Sequence, residues 1–384
     1  MKNTTHLIIL FLMGSLLWSC SDKDQETSVF PSYTLDLEDN PDKHLFDYVK
    51  NVEVTLLEET DSSLFGSIAK VIYDQNFIYV LEGKGKTLYK FTSSGKYVQH
   101  LNNVGKGPDQ YKVIDDFHID AGEIVLLDGQ NRKLIFLSKV FDFLRQQSFD
   151  FHAYKFKVLD NGYVFDNNYY PVQDTIYASL VITNNQLDIQ EVLLPFENER
   201  QYSLANNSIQ SMNGGYYYRK TYSDTVFYID EKTDIAPTFR LDFGENWKFG
   251  QLKSDMAVYN VMSRKTPIEG EMVSWLDVWT NDDFVFLRTV LFPSYNTLGT
   301  IIDRSKAKAL NVKLQTDDDP RSAVNLRSLD SNGRFLTGLT IDQFEYLLKF
   351  VPLSDIATSS GEKLSELPNN ENAMILTFEL GQLN

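Results

Sequence analysis

Chemically capable side chains are few in this sequence, and they are widely spaced. Cys20 is the only cysteine among 384 residues, and it directly follows Leu17-Trp18-Ser19. A thiol at the end of an apolar leader, in a Leu-x-Ser-Cys setting, is suited to lipid acylation once the leader is cut. Acylation would leave no free thiol for disulfides, zinc-thiolate sites or cysteine catalysis. Of five histidines, His44, His100, His118 and His152 lie beyond the leader, and none is paired at metal-ligand spacing. His118, close to Asp115-Asp116, is the best metal candidate, with Asp116 as its partner. Asp317-Asp318-Asp319-Pro320 offers carboxylate oxygens, but no glycine or spaced glutamate completes a calcium loop, so a solvated turn is expected. Trp275 and Trp279 would share one face of a strand and, with Tyr259, are candidates for contact with a partner. The sequence has no Gly-x-Ser-x-Gly elbow, no Walker loop and no His-Glu-x-x-His helix, and no cofactor is expected.

The leader itself starts with Met1-Lys2 and continues as an apolar run from Leu7 to Trp18. That run is shorter than the roughly 20 residues needed to span a bilayer. Residues 1–19 therefore read as a lipoprotein signal peptide and residues 20–32 as the lipidated cysteine with a hydrophilic tether. Acyl chains on Cys20 would hold the protein on a membrane through their buried methylenes.

The charge balance narrows the partners. Formal net charge is −17, and loss of the leader removes only Lys2, leaving −18. Such a surface repels a phosphate backbone, so no nucleic-acid partner is expected, and basic or neutral ligands are favoured over anionic ones. Tyr and Phe number 21 and 26, an enrichment that favours strands. A monomer is expected.

The elements that position these side chains are visible as a repeat. Residues 71–101 align without a gap to 117–147, at an offset of 46: Asp74 meets Asp120, Ile78 meets Ile124, Glu82-Gly83 meets Asp128-Gly129 and Leu88 meets Leu134. Each copy reads as four short strands separated by turn residues. Runs such as Phe77-Ile-Tyr-Val-Leu are too short for buried helices and suit buried strands. Echoes of the first turn recur at Asp160, Asn213, Asn281 and Asp330. Six units of about 40–50 residues, each of four strands, are the signature of a β-propeller.

The expected fold is therefore all-β: a six-bladed propeller of four-stranded antiparallel blades over residues 33–384. The widest spacing, between Asn213 and Asn281, is assigned to a short helical insertion at 250–265 between blades four and five. Closure is expected where the strand at Val52–Leu57 meets the strand at Ala373–Leu380 in the last blade, which leaves no free edge.

At Val104-Gly105-Lys106-Gly107-Pro108-Asp109-Gln110-Tyr111 the sequence resembles the six-bladed β-propeller lipoproteins of Bacteroidetes, relatives of the NHL-type propellers. Their Gly-x-Gly-Pro-Gly-Glu-Tyr-like loop is matched at Gly105, Gly107, Pro108 and Tyr111, whereas Asp109 and Gln110 depart from it. The glycines fit a need for positive φ and close backbone passage at a blade crossing. Acidic residues with a lysine just after Cys20 (Ser21-Asp22-Lys23-Asp24-Gln25-Glu26) resemble a surface-export signal of such lipoproteins. The resemblance implies an outer-membrane lipoprotein, lipid-anchored and facing either side.

Two functions fit. The first is a non-enzymatic envelope module whose propeller binds a protein, peptide or glycan, with its rim near 250–265, Trp275 and Trp279. The second is a metal-dependent hydrolase or lyase with its site in the central channel around His118 and Asp116.

Overall fold

Strand after strand in this chain carries an apolar run buried on both faces, and the computed structural model shows why. It describes residues 30–38, 41–167, 170–173, 176–196, 208–212, 214–250, 252, 260–315, 323–359, 364 and 372–383. These residues form six sheets arranged as the blades of a propeller. Two strands precede the first complete blade, β1 (Ser32–Thr34) and β2 (Val49–Thr55). Blade one is β3 (Ile68–Asp74), β4 (Phe77–Glu82), β5 (Leu88–Thr92) and β6 (Tyr97–Leu101). Blade two is β7 (Asp116–Asp120), β8 (Glu123–Asp128), β9 (Lys133–Ser138) and β10 (Phe143–Ser148). The offset of 46 residues thus carries β4 onto β8 residue for residue.

Blade three contains β11 (Lys155–Leu159), β12 (Gly162–Asp166), a short β13 (Pro171–Gln173), β14 (Ile176–Asn184) and β15 (Ile189–Pro195). Blade four contains β16 (Ile209–Met212), β17 (Gly215–Arg219), β18 (Thr225–Asp230) and β19 (Ile235–Asp242). Blade five contains β20 (Met272–Thr280), β21 (Phe284–Phe292), β22 (Thr297–Asp303) and β23 (Lys308–Val312). Blade six joins β24 (Leu326–Leu329), β25 (Phe335–Leu339), β26 (Ala357–Thr358) and β27 (Met374–Leu380) to β2. Each turn landmark read from the sequence falls at the hairpin joining the first and second strands of its blade, although Asn213 itself lies outside the described residues.

Neighbouring blades bury opposite faces of each central strand. In β8, Ile124 and Leu126 pack toward blade one with Tyr79, Leu81 and Phe117. Val125 and Leu127 pack toward blade three with Phe156, Phe165 and Val181. All four are at most 3 % exposed. Strand side chains alternate between faces, so a strand sandwiched by two blades must be apolar throughout. Outer strands lack the second cover, and β10 is exposed along most of its length.

Closure occurs where expected. β27 runs between β25 and β2, pairing Val54 with Leu376 and Leu336 with Thr377. The N-terminal segment does more than close one blade. β1 adds in parallel to β19, with Tyr33 opposite Leu241. The chain then bridges blade five at His44 opposite Lys313 before entering blade six as β2. Residues 31–38 and 41–55 therefore run as a strap along the outer strands of three successive blades, which leaves fewer open edges for association with other chains.

The helical insertion expected at 250–265 is met in its described part, and one further helix was not foreseen. Of the stretch 250–265, residues 251 and 253–259 lie outside the described residues. Residues 260–262 form a helical turn, and Val261 is buried with Phe249, Met272 and Phe292. A helix not foreseen, α1 (Ile341–Leu347), lies inside blade six. Thr340 caps it, with Gln343 returning to the Thr340 backbone, and Phe344 and Leu347 are fully buried. Among the described residues no helix is long and apolar enough to cross a membrane.

Candidate functional site

The first strands of all six blades enclose a central cavity of about 720 Å³. Those strands begin at the crossovers from the preceding blade and end at the hairpins named above. Basic side chains enter from their first halves: Lys70 on β3, Lys155 and Lys157 on β11, and Arg327 on β24. Acidic and amide groups enter from the turns at the other end, among them Asp282, Asp283 and Asp330.

Asp116 organises the basic wall. Its Oδ1 lies 2.6 Å from Lys70 Nζ and accepts from the Phe117 amide at 2.9 Å, while Oδ2 accepts from the Phe156 amide at 3.2 Å. One carboxylate thus links the first strands of blades one, two and three. Burial alone would push its pKa up, but the charges of Lys70, Lys155 and Lys157 win and hold it down at about 2. Lys70 Nζ also donates to Phe117 O at 2.7 Å, and Lys155 Nζ donates to Asp115 O at 3.0 Å.

Lys157 is different. It is 9 % exposed, lines the cavity, and has no hydrogen-bond partner among the described residues. Burial first, then the neighbouring charges of Lys70 and Lys155, lower its pKa to about 7 against the pull of Asp116. The His118 imidazole is pushed down to about 3, by burial and then by Lys157 and Lys70. It is therefore neutral at physiological pH and makes an edge contact with Phe156, ring centroids 6.3 Å apart.

A second basic group lies on the side of blades five and six. Arg288 Nη1 is 3.1 Å from Asp277 Oδ2, which also accepts from Trp275 Nε1 at 2.7 Å. Arg327 stands close enough to both to feel their charges, yet its buried Nε has no partner among the described residues. Burial, and then Arg288, lower its pKa, though a guanidinium stays protonated at any physiological pH.

The structure sorts the residues singled out from sequence. His118 and Asp116 do come together in the channel, but ammonium groups surround them, and such a setting opposes a divalent cation. Among the described residues no three His, Cys, Asp or Glu side chains are grouped to hold a metal ion. Trp275 is half-buried and held by Asp277, behind an irregularity in β20 between Val273 and Trp275. Trp279 is not on a rim: it is 2 % exposed in the core between blades five and six, against Phe286. Tyr259 and Cys20 lie outside the described residues.

The family-like loop is structural. Tyr111 is fully buried, donates to Lys86 O at 2.8 Å and accepts from the Asn103 amide at 3.1 Å. Neither Gly105 nor Gly107 has positive φ, contrary to the expectation. A side chain at Gly105 would instead meet Gln110, whose Oε1 accepts from the Lys106 and Gly107 amides. Pro108 lies in the same turn, beside Gly107, whose carbonyl accepts from Lys133 Nζ at 3.1 Å. What sequence reading missed is the basic wall. Its signal was Lys155-Phe156-Lys157, two lysines sharing one face of a predicted inner strand.

Residues 32–379 match the domain of unknown function DUF4934. The structure is similar to that of an exported protein from Bacteroides fragilis, at 15 % identity and a TM-score of 0.71, over 91 % of this chain and 99 % of that one. It is also similar to a member of the DUF4221 family from Bacteroides vulgatus, at 9 % identity and a TM-score of 0.51, over 87 % and 98 %. At these identities the likeness shows the fold alone. No protein of curated function matches the sequence.

Proposed function

Because this chain belongs to the DUF4934 family, whose name carries no activity, we propose its role from its own geometry: a cell-envelope lipoprotein, related to NHL-type propellers, that binds a protein, peptide or glycan without catalysis. The observation that carries this reading is the central cavity of about 720 Å³, lined from all six blades. Rigid strands set its walls, and loops at both ends form its mouths, which is where a propeller can recognise a ligand while its blades remain committed to packing. Lys157 and Arg327 enter it with donors that nothing in the described chain occupies.

Attachment through Cys20 completes the proposal. The leader and the Leu-x-Ser-Cys sequence support it, and the B. fragilis neighbour is likewise described as exported. The strap of residues 31–38 and 41–55 begins only a short tether beyond Cys20, so the propeller would sit close to the membrane. Outer-membrane placement and a monomeric state belong to the same proposal.

Two measurements test it. Metabolic labelling with a fatty-acid analogue should mark the wild type and not Cys20→Ala; equal labelling would remove the anchor. Cross-linked capture from native envelopes should weaken when Arg327→Glu reverses charge in the channel. Unchanged capture would place the binding surface elsewhere.

A further inference from the structure

We infer that the channel holds a small anionic group, a carboxylate, sulfate or phosphate, seated against Lys157 with Lys70, Lys155 and the His118 imidazole around it. The inference deepens the binding role proposed above and names the charge of its ligand. It runs against the expectation drawn from the net charge of −17, because a sum over the whole surface says nothing about the lining of one cavity.

Three observations converge. First, the wall around Lys157 is unbalanced: three ammonium groups, Lys70, Lys155 and Lys157, face the carboxylate of Asp116, and among the described residues the only other carboxylate beside them, Asp115, acts on Lys155 and not on Lys157. Asp116 is already engaged by Lys70 Nζ and two backbone amides. Second, Lys157 is nine-tenths buried, lines the cavity and has no side-chain hydrogen bond or ion pair among the described residues, only the more distant pull of Asp116. A buried ammonium without a partner is expensive, so a lysine here is hard to explain by packing. Third, the guanidinium-bearing Arg327 lines the same cavity from blade six, so a ligand extending across the channel would meet a second cation.

An anion at Lys157 supplies the missing countercharge. It would also favour the protonated amine, so binding takes up a proton wherever free Lys157 is partly neutral. Affinity should then fall as pH rises through about 7. The charged and titratable groups facing Lys157 are Lys70 on β3, Asp116 and His118 on β7, and Lys155 on its own strand. With Asp116 at about 2 and His118 at about 3, neither titrates between pH 7 and 8.5. Asp115, on the crossover, is raised to about 6 by burial and is mostly ionised over that range.

Calorimetric titration of the full chain in non-ionic detergent tests the assignment. The probes are inorganic phosphate, inorganic sulfate and glucuronate, with glucose as the uncharged control, at pH 7 and pH 8.5. At least one anion is expected to bind, on the order of tenfold more weakly at pH 8.5, with glucose silent. Phosphate or sulfate binding alone would mark an oxyanion group as the ligand, whereas glucuronate alone would mark a carboxylate. Lys157→Met should abolish binding without lowering the melting temperature. Lys157→Arg should keep binding but flatten its dependence on pH, since arginine does not titrate there. The assignment is overturned if no anion binds at millimolar concentration, if Lys157→Met binds as the wild type does, or if glucose binds equally well. Capture of an uncharged envelope glycan by a chain that binds none of the anions would sink this site and leave the propeller standing as a binding module.

Discussion

Lys70 and Asp116 occupy the same position in two successive blades, 46 residues apart, and their side chains meet at 2.6 Å. One copy of the repeat carries a lysine where the next carries an aspartate. Duplication alone would place like residues side by side on adjacent inner strands. The difference between the two copies makes an ion pair, which ties blade one to blade two at the channel.

Breaking this pair should be costly in one direction and mild in the other. Lys70→Met leaves Asp116, whose side chain is 3 % exposed, without its closest cation, and a loss of about 3 kcal/mol is expected. Lys70→Met with Asp116→Asn removes both charges and should recover part of that loss. Urea denaturation of the two single variants and the double variant measures the coupling. Additive losses would show that the two residues act independently.

Acid should weaken the same link. Asp116 titrates at about 2 in the folded protein, below the ordinary carboxylate value of about 3.9. A depressed carboxylate contributes stability that is fully present above the unfolded pKa and is lost as pH falls through the folded one. The contribution, about 2 kcal/mol, should disappear between pH 4 and pH 2. Asp116→Asn should lose less stability over that window than the wild type, as read by denaturation at each pH.

Lys157 carries the opposite sign. Its folded pKa of about 7 lies below the unfolded value, so the unfolded chain binds the extra proton between pH 7 and about 10.4. The cost of burying the charge is full below pH 7 and vanishes above about 10.4. Lys157→Met should therefore stabilise the protein at pH 6.5, on the order of 2 to 4 kcal/mol, and confer no such gain at pH 10.5. A destabilised variant at pH 6.5 would mean that the ammonium has a compensating partner.

Removal of the last strand should open the ring. Without residues 373–384, β25 and β2 lose the strand that lies between them, and the core around Leu376 and Phe378 is exposed. Loss of a single cooperative melting transition is expected. A truncated chain that melts like the whole one would mean that closure resides in the strap across blades four to six.

The architecture of the ring was readable because it rests on local physics. Central strands covered on both sides must be apolar, and hairpins must carry turn residues, so Ile78–Leu81, Ile124–Leu127 and the turns at Asp74, Asp120 and Asp160 declare themselves along the chain. The terminal strands that close the ring follow the same rule. The helix α1 carried its own signal, Thr340 and Gln343 around an apolar run, but a strand count does not look for one. The strap over blades four to six was not readable, since a three-residue strand such as Ser32–Thr34 has no periodicity of its own. Nor was the channel. Lys70, Asp116, Lys157 and Arg327 come from four blades and are separated by up to 257 positions, and only closure of the ring brings them to one cavity. Their charge states depend on that proximity and on burial, which is why a net charge of −17 conceals a basic wall inside the channel. Trp279 fell on the other side of the same divide: the alternation of its strand was legible, but which face the neighbouring blade covers was decided by tertiary packing.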